Sequence, residues 1–233
     1  YGMSFTNRIA AEVRQIRPEL AITTRAGPGA PFNHSFAMFQ ADPWRARADV
    51  IVVGILSSSL SHMQSLSGLG YTPESPAPYA FPMYTLLDDQ LQRLDPVIAD
   101  RDKFVRAFRE RSDEWNAHIA TIAAHDAYWD PFVFNHSITD RSALLRLVRR
   151  AWASRKVDSV RSDVYMPKKG YKTEHPALAA VPAMLAEMRA ACERDDQTLV
   201  VLLLHAKGEP GHLDAWLTDA LESSGTTVIS TTD

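Results

Sequence analysis

The chain of 233 residues is 45% hydrophobic and 23% charged, with a formal charge of -3 at pH 7. That balance suits one large globular domain, or a domain with an insertion, and excludes the strongly basic face on which nucleic-acid binding rests. A single cysteine, Cys192, excludes an intrachain disulfide framework, and no apolar run approaches the roughly 20 residues of a membrane helix.

At the N-terminus, "GMSFT" precedes Phe5, Ile9, Val13 and Ile16, whose spacing predicts a helix over 5–17 that ends before Pro18. Two readings of Ser4 stand. Its hydroxyl is a helix cap, as Thr6 also offers, or it is a nucleophile on a turn whose first N–H groups stabilise negative charge. "LAITTR" is a short β-rich run, "AGPGAPFNHS" a glycine-proline loop, and "HSFAMFQ" a short helix. "ADVIVVGIL" is apolar and β-branched without alternation, which predicts a strand buried on both faces of a parallel sheet. "SSSLSH" follows at its carboxyl end.

The middle of the chain differs in character. "GLGYTPESPAPYAFPMY" is rich in proline and aromatics, and helical segments follow at about 100–125, 140–156 and 176–194, with Asp100 and Asp140 as N-caps. This stretch, about 68–194, reads as a helical insertion that forms a cap or wall over a site. "TLVVLLLHA" is then a second buried strand, "GHLDAWLTDALESSG" a helix and "TTVIST" a last strand. Strands alternating with helices predict an α/β fold, with the site at the carboxyl ends of the strands.

Three pieces meet at that end of the sheet: Ser4, the Gly27/Gly29 turn, and Ser57-Ser58-Ser59. Here the sequence resembles the SGNH (GDSL-like) hydrolase superfamily. "GMSFT" is similar to its Gly-Asp-Ser block with Met3 in place of the aspartate, and Gly29 matches the glycine whose N–H faces the oxyanion. "VIVVGILSSSL" stands where Gly-x-Asn-Asp is expected, with Ser57 or Ser58 in the asparagine's place. The tract "APYAFPMYTL" and the helices after it resemble a bacterial subgroup associated with surface polysaccharides.

The resemblance implies one three-layer, flavodoxin-like domain over 1–233, with a strand before Gly2 and an Asp-x-x-His block after Asp233. It also implies an extracytoplasmic setting, an acylated carbohydrate or other small ester as substrate, and no cofactor or metal. Ser4 would be the nucleophile of an esterase, deacetylase or O-acyltransferase, and Gly29 with Ser57 or Ser58 would complete the oxyanion hole. Within the chain, Glu209-Pro210-Gly211-His212 mimics the Asp-x-x-His block one unit early, so His212 is a candidate base or the start of a surface helix. His205, at the end of a strand, is the other candidate. A non-catalytic module binding a glycan or a partner in polysaccharide assembly is the alternative, favoured by Met3 and by the missing asparagine. A nucleotide-binding domain is disfavoured, since "AGPGA" lacks both the P-loop lysine and the G-x-G-x-x-G spacing.

Of the other histidines, His34 caps a helix or lines the site, and His62 is a pocket candidate. His118, His125 and His136 lack metal-ligand spacing, and His175 precedes a proline in a loop. Tyr71, Tyr79, Phe81, Tyr84, Trp129 and Phe132 either stack on sugar rings or pack the insertion. Arg146, Arg149, Arg150 and Arg155 read as a solvated helix face or as a contact for a polyanionic sugar.

Overall fold

The computed structural model describes residues 5–25, 31–43, 45–67, 81–134, 141–205 and 210–231, without the side chains of 5–7 and 101. Helix α1 (Phe5–Ile16) ends before Pro18, and α2 (Phe32–Ala41) starts after Pro31 and buries Phe32, Asn33 and Phe36. Strand β1 (Val50–Leu56) runs directly into a largely buried 3-10 helix, Ser57–Gln64. A hairpin follows, β2 (Met83–Leu87) and β3 (Gln90–Leu94), turned through Asp88 and Asp89 at φ 49° and 59°. Two successive left-handed residues make the turn whose twist matches that of the strands, and Asp is among the few side chains that tolerate it.

Helix α3 (Arg101–Glu110) is capped by Asp100, whose carboxylate accepts the Lys103 N–H at 2.8 Å. Arg111 then turns left-handed at φ 50°, and Ser112 starts α4 (Asp113–His125) by accepting the Trp115 N–H. After α5 (Pro131–Phe134), Ser142 caps the long α6 (Ala143–Val164). The two-residue strands β4 (Tyr165–Met166) and β5 (Gly170–Tyr171) pair with each other. In α7 (Pro176–Arg194) the cap is His175, whose Nδ1 accepts from the Ala177 N–H, with Pro176 next to it where no N–H is missed. Strand β6 (Thr198–Leu204), helix α8 (His212–Ser223) and strand β7 (Thr227–Ser230) complete the described chain.

β1, β6 and β7 form a parallel sheet with β6 in the middle, Leu56 opposite Leu204 and Leu203 opposite Ser230. Gln197 fixes the entry to β6: its amide donates to the carbonyls of Arg45 and Ala48, both at 2.7 Å. One sheet face, with Val53, Ile55, Leu199, Val201 and Leu203, is buried in a core shared with α2, α7 and α8. Leu178, Val181 and Met184 of α7 are fully buried there, each contributing roughly 1.5–3 kcal/mol of apolar burial. Two satellite clusters hold the insertion, one around Leu66, Ile122, Tyr128 and Val160, the other around Ile98, Phe104 and Trp115.

The parallel α/β sheet is as expected. The burial of β1 on both faces is not: Val50, Val52 and Leu56 are 52%, 56% and 41% exposed on the face turned away from the core. "LAITTR" (20–25) forms no strand, because β propensity alone supplies no ladder partner. The helix expected over 100–125 is two helices, broken where Arg111 goes left-handed. The helix expected over 140–156 starts at 143 and runs on to 164, and Asp140 lies outside the described residues. His175, read as a loop residue, is a helix cap. The insertion also holds two strand pairs beside its helices.

Candidate functional site

The carboxyl edge of the sheet brings three chain segments side by side. Because Leu56 pairs with Leu204, Ser57 and His205 are the next residues on neighbouring strands. Thr231, just beyond β7, ties this edge together. Its hydroxyl accepts the His205 N–H at 3.0 Å, and its own N–H donates to the Leu203 carbonyl at 3.0 Å. The His205 backbone is thereby fixed at the end of the central strand.

The His205 side chain is 5% exposed, and its Nε2 lies 3.1 Å from Oδ1 of Asp214. Asp214 stands in the first turn of α8, where helix N–H groups favour an anion. A carboxylate only accepts, so this contact requires the proton of neutral His205 on Nε2 and leaves the Nδ1 lone pair as the basic position. Nδ1 is buried and has no hydrogen-bond partner among the described residues. A buried imidazole oriented by a carboxylate is an arrangement suited to proton transfer.

The other predicted residues fare differently. Ser4 and Gly29 lie outside the described residues, as does Glu209. Ser57 is buried at the start of the 3-10 helix and its carbonyl accepts from the Tyr171 hydroxyl at 3.3 Å. Ser58 is exposed, and Ser59 donates back to the Leu56 carbonyl at 2.8 Å. His212 begins α8 but donates through Nε2 to the Pro167 carbonyl at 3.1 Å, with its ring against Gly170 and Tyr165. That contact binds the β4–β5 pair to α8. Asp214 was missed by the sequence reading. Its signal was available: an acid in the first turn of a helix that follows a strand ending in histidine.

A second polar centre, also missed, lies under the segment that leaves β1. Oδ2 of buried Asp126 accepts from the Ser65 hydroxyl at 2.8 Å, the Leu66 N–H at 2.9 Å and the Ser67 hydroxyl and N–H at 3.1 and 3.3 Å. Its Oδ1 accepts the Tyr128 N–H at 2.9 Å, and the Tyr128 hydroxyl donates to the Ser61 carbonyl at 3.1 Å. Burial pushes the Asp126 carboxyl above its ordinary range, while the donors from Ser65, Tyr128, Leu66 and Ser67 pull it back. Burial likewise pushes the Tyr128 phenol up to about 12. His62 packs its ring on Tyr128 with centroids 5.6 Å apart. The centre clasps the 57–67 segment to the end of α4.

Several of the remaining histidines and aromatics pack on other rings. His34 does not cap α2; it stacks on Phe81 at 5.3 Å, and burial lowers its pKa. His118 accepts from the Ile98 N–H and sits among Phe104 and Trp115, its pKa also lowered by burial. His125 is exposed, and His136, Tyr71 and Tyr79 lie outside the described residues. Tyr84 and Phe81 are buried, and Trp129 stacks on Phe134. Phe132 is exposed. Among the described residues no group of three or more His, Cys, Asp or Glu is placed to hold a metal ion, and no helix is long and apolar enough to cross a membrane. Comparison with protein-family models, curated proteins and solved structures finds no match to the chain.

Proposed function

We propose that the protein is an SGNH-type serine esterase, deacetylase or O-acyltransferase for an acylated carbohydrate, built on a three-layer, flavodoxin-like version of its parallel sheet. The observation that supports this reading is the buried His205–Asp214 pair at the carboxyl end of the central strand. In it, Ser4 attacks the acyl carbon and His205 Nδ1 takes the hydroxyl proton. Asp214 holds the Nε2 proton and stabilises the imidazolium that forms. The N–H groups of Ser4 and Gly29, with the Ser57 hydroxyl, face the developing oxyanion. The alcohol leaves with the proton from His205, and water or a sugar hydroxyl then removes the acyl group from Ser4.

The resemblance does not itself assign the base to His205. A non-catalytic glycan-binding module is favoured by a different observation: Ser57 and Ser58 bring no side-chain amide to the edge where the family uses asparagine. Release of acetate from an acetylated sugar by the full chain separates these readings. His205→Ala is expected to lower kcat about 10²–10⁴-fold, the worth of a positioned base. Asp214→Asn is expected to lower kcat, leave KM unchanged and displace the pH profile. Loss of activity in Ser4→Ala alone moves the base elsewhere. Background rates in every variant, with sugar binding retained in calorimetry, support the module instead.

A further inference from the structure

Helix α6 carries an apolar stripe that is left exposed among the described residues. Its C-terminal half packs through Ala153, Val157, Val160 and Val164, which are buried or half-buried at helical spacing. Continued toward the N-terminus by the same steps, that seam passes through Arg149, Arg146 and Ser142. The apolar residues of the first three turns therefore lie on the opposite side. Leu144, Leu147, Val148 and Trp152 are 69%, 61%, 48% and 49% exposed. Phe132 of α5, 45% exposed, stands edge-on to Trp152 with centroids 6.3 Å apart, and extends the stripe.

Cations dominate the charges around this stripe, although Asp130 accepts the Trp152 indole N–H at 2.9 Å. Between Arg141 and Val157 the sequence holds Arg146, Arg149, Arg150, Arg155 and Lys156 and no acidic residue. That contrasts with a chain whose formal charge is -3. The surface is a convex helix rather than a groove, with Leu, Val, Trp and Phe on one side. Arg150, one turn from Leu147, and Arg155 and Lys156, one turn from Trp152, border it, while Arg146 and Arg149 lie toward the packed seam. This is the composition of a helix that lies in the plane of a bilayer, apolar face down and cations at the headgroups.

We infer that the N-terminal half of α6, with Phe132 and Trp152, docks the protein on an anionic lipid surface. The excess of cations bordering the stripe selects the anionic bilayer. The docking is independent of the acyl-transfer reading.

The test is sedimentation of the full chain with vesicles of phosphatidylglycerol and phosphatidylcholine in equal parts, against vesicles of phosphatidylcholine alone. Binding is expected only to the anionic vesicles and is expected to weaken with added salt. Leu147→Glu, at an exposed position that leaves the fold intact by circular dichroism, is expected to abolish it. Arg150→Gln and Arg155→Gln are each expected to weaken it about fivefold, the usual worth of one cation at such a surface. Equal binding to both vesicle types, or binding unchanged in Leu147→Glu, overturns the inference. So does a dimer in ultracentrifugation that Leu147→Glu dissolves, which would assign the stripe to a second copy.

Discussion

Replacement of Asp126 tests whether one buried carboxylate holds the segment that leaves β1. In Asp126→Ala the N–H groups of Leu66 and Tyr128, each 2.9 Å from the carboxylate, lose their acceptor inside the protein. The Ser67 N–H keeps the Ser65 hydroxyl as an acceptor at 3.4 Å. Two stranded backbone donors at roughly 1–3 kcal/mol each therefore give a destabilisation of about 4 kcal/mol, because the Ser65 and Ser67 hydroxyls can rotate away but the backbone cannot. For a chain of this length that corresponds to a Tm lower by about 8–16 °C. Asp126→Asn keeps an acceptor on one side and turns an NH2 toward donors on the other, so it is expected to fall between the variant and the native protein. Urea unfolding with an unchanged m-value, followed by fluorescence and circular dichroism, measures both. The pH dependence has a definite sign. Burial raises this carboxyl in the folded state, so the fold holds the proton more tightly than the unfolded chain does. The contribution of Asp126 is therefore full below the unfolded value of about 3.9 and declines as pH rises through the raised folded value. The native protein is expected to lose part of its advantage over Asp126→Asn across that window. Two variants within about 0.5 kcal/mol of the native protein at every pH would refute the reasoning.

Gly170 has φ 84°, and a Cβ built on it would lie 3.3 Å from Cγ and Nδ1 of the His212 ring. Gly170→Ala is expected to cost about 1–2 kcal/mol, read from thermal melts. His212→Ala should relieve only the crowding, so a Gly170→Ala/His212→Ala double variant as stable as His212→Ala alone would show that backbone conformation is not the cause. Gln197→Ala leaves the Arg45 and Ala48 carbonyls without their shared donor, and a loss of about 1–3 kcal/mol is expected in urea unfolding. Hydrogen exchange at the Thr198 N–H, which donates to the Asp49 carbonyl, should quicken in that variant, and unchanged exchange would contradict it.

The elements legible in the sequence are those whose stabilising contacts repeat locally. β6 and α7 carry their apolar pattern in unbroken runs, and Pro176 and Gly225 mark where helical segments begin and end. The hairpin was not read: "MYTLLDDQLQRL" sets two β-prone runs around two aspartates, and no glycine is there to mark the turn that Asp88 and Asp89 make. "LAITTR" shows the opposite case. Its residues favour a strand, but a strand exists only where another chain segment offers a ladder, and no local pattern records that. The break between α3 and α4 is hidden for a related reason: Arg111 adopts a conformation that its side chain does not advertise.

The same distinction explains the two polar centres. His205 and Asp214 are nine residues apart, within one strand–helix unit, and close as soon as α8 docks on the sheet. The strand-end position of His205 was therefore readable, and its partner lay within reach. Asp126 meets Ser65 across 61 residues, through an insertion whose packing decides the contact, so neither residue signals the other. The pair offered for proton transfer thus rests on the sheet and α8, whereas Ser57 sits on a segment whose far end is held by the insertion. A perturbation of the insertion should act on the Ser57 side of the carboxyl edge before it reaches His205. In the acyl-transfer reading, oxyanion stabilisation is accordingly the more fragile half of the site, and the base with its orienting carboxylate the more robust.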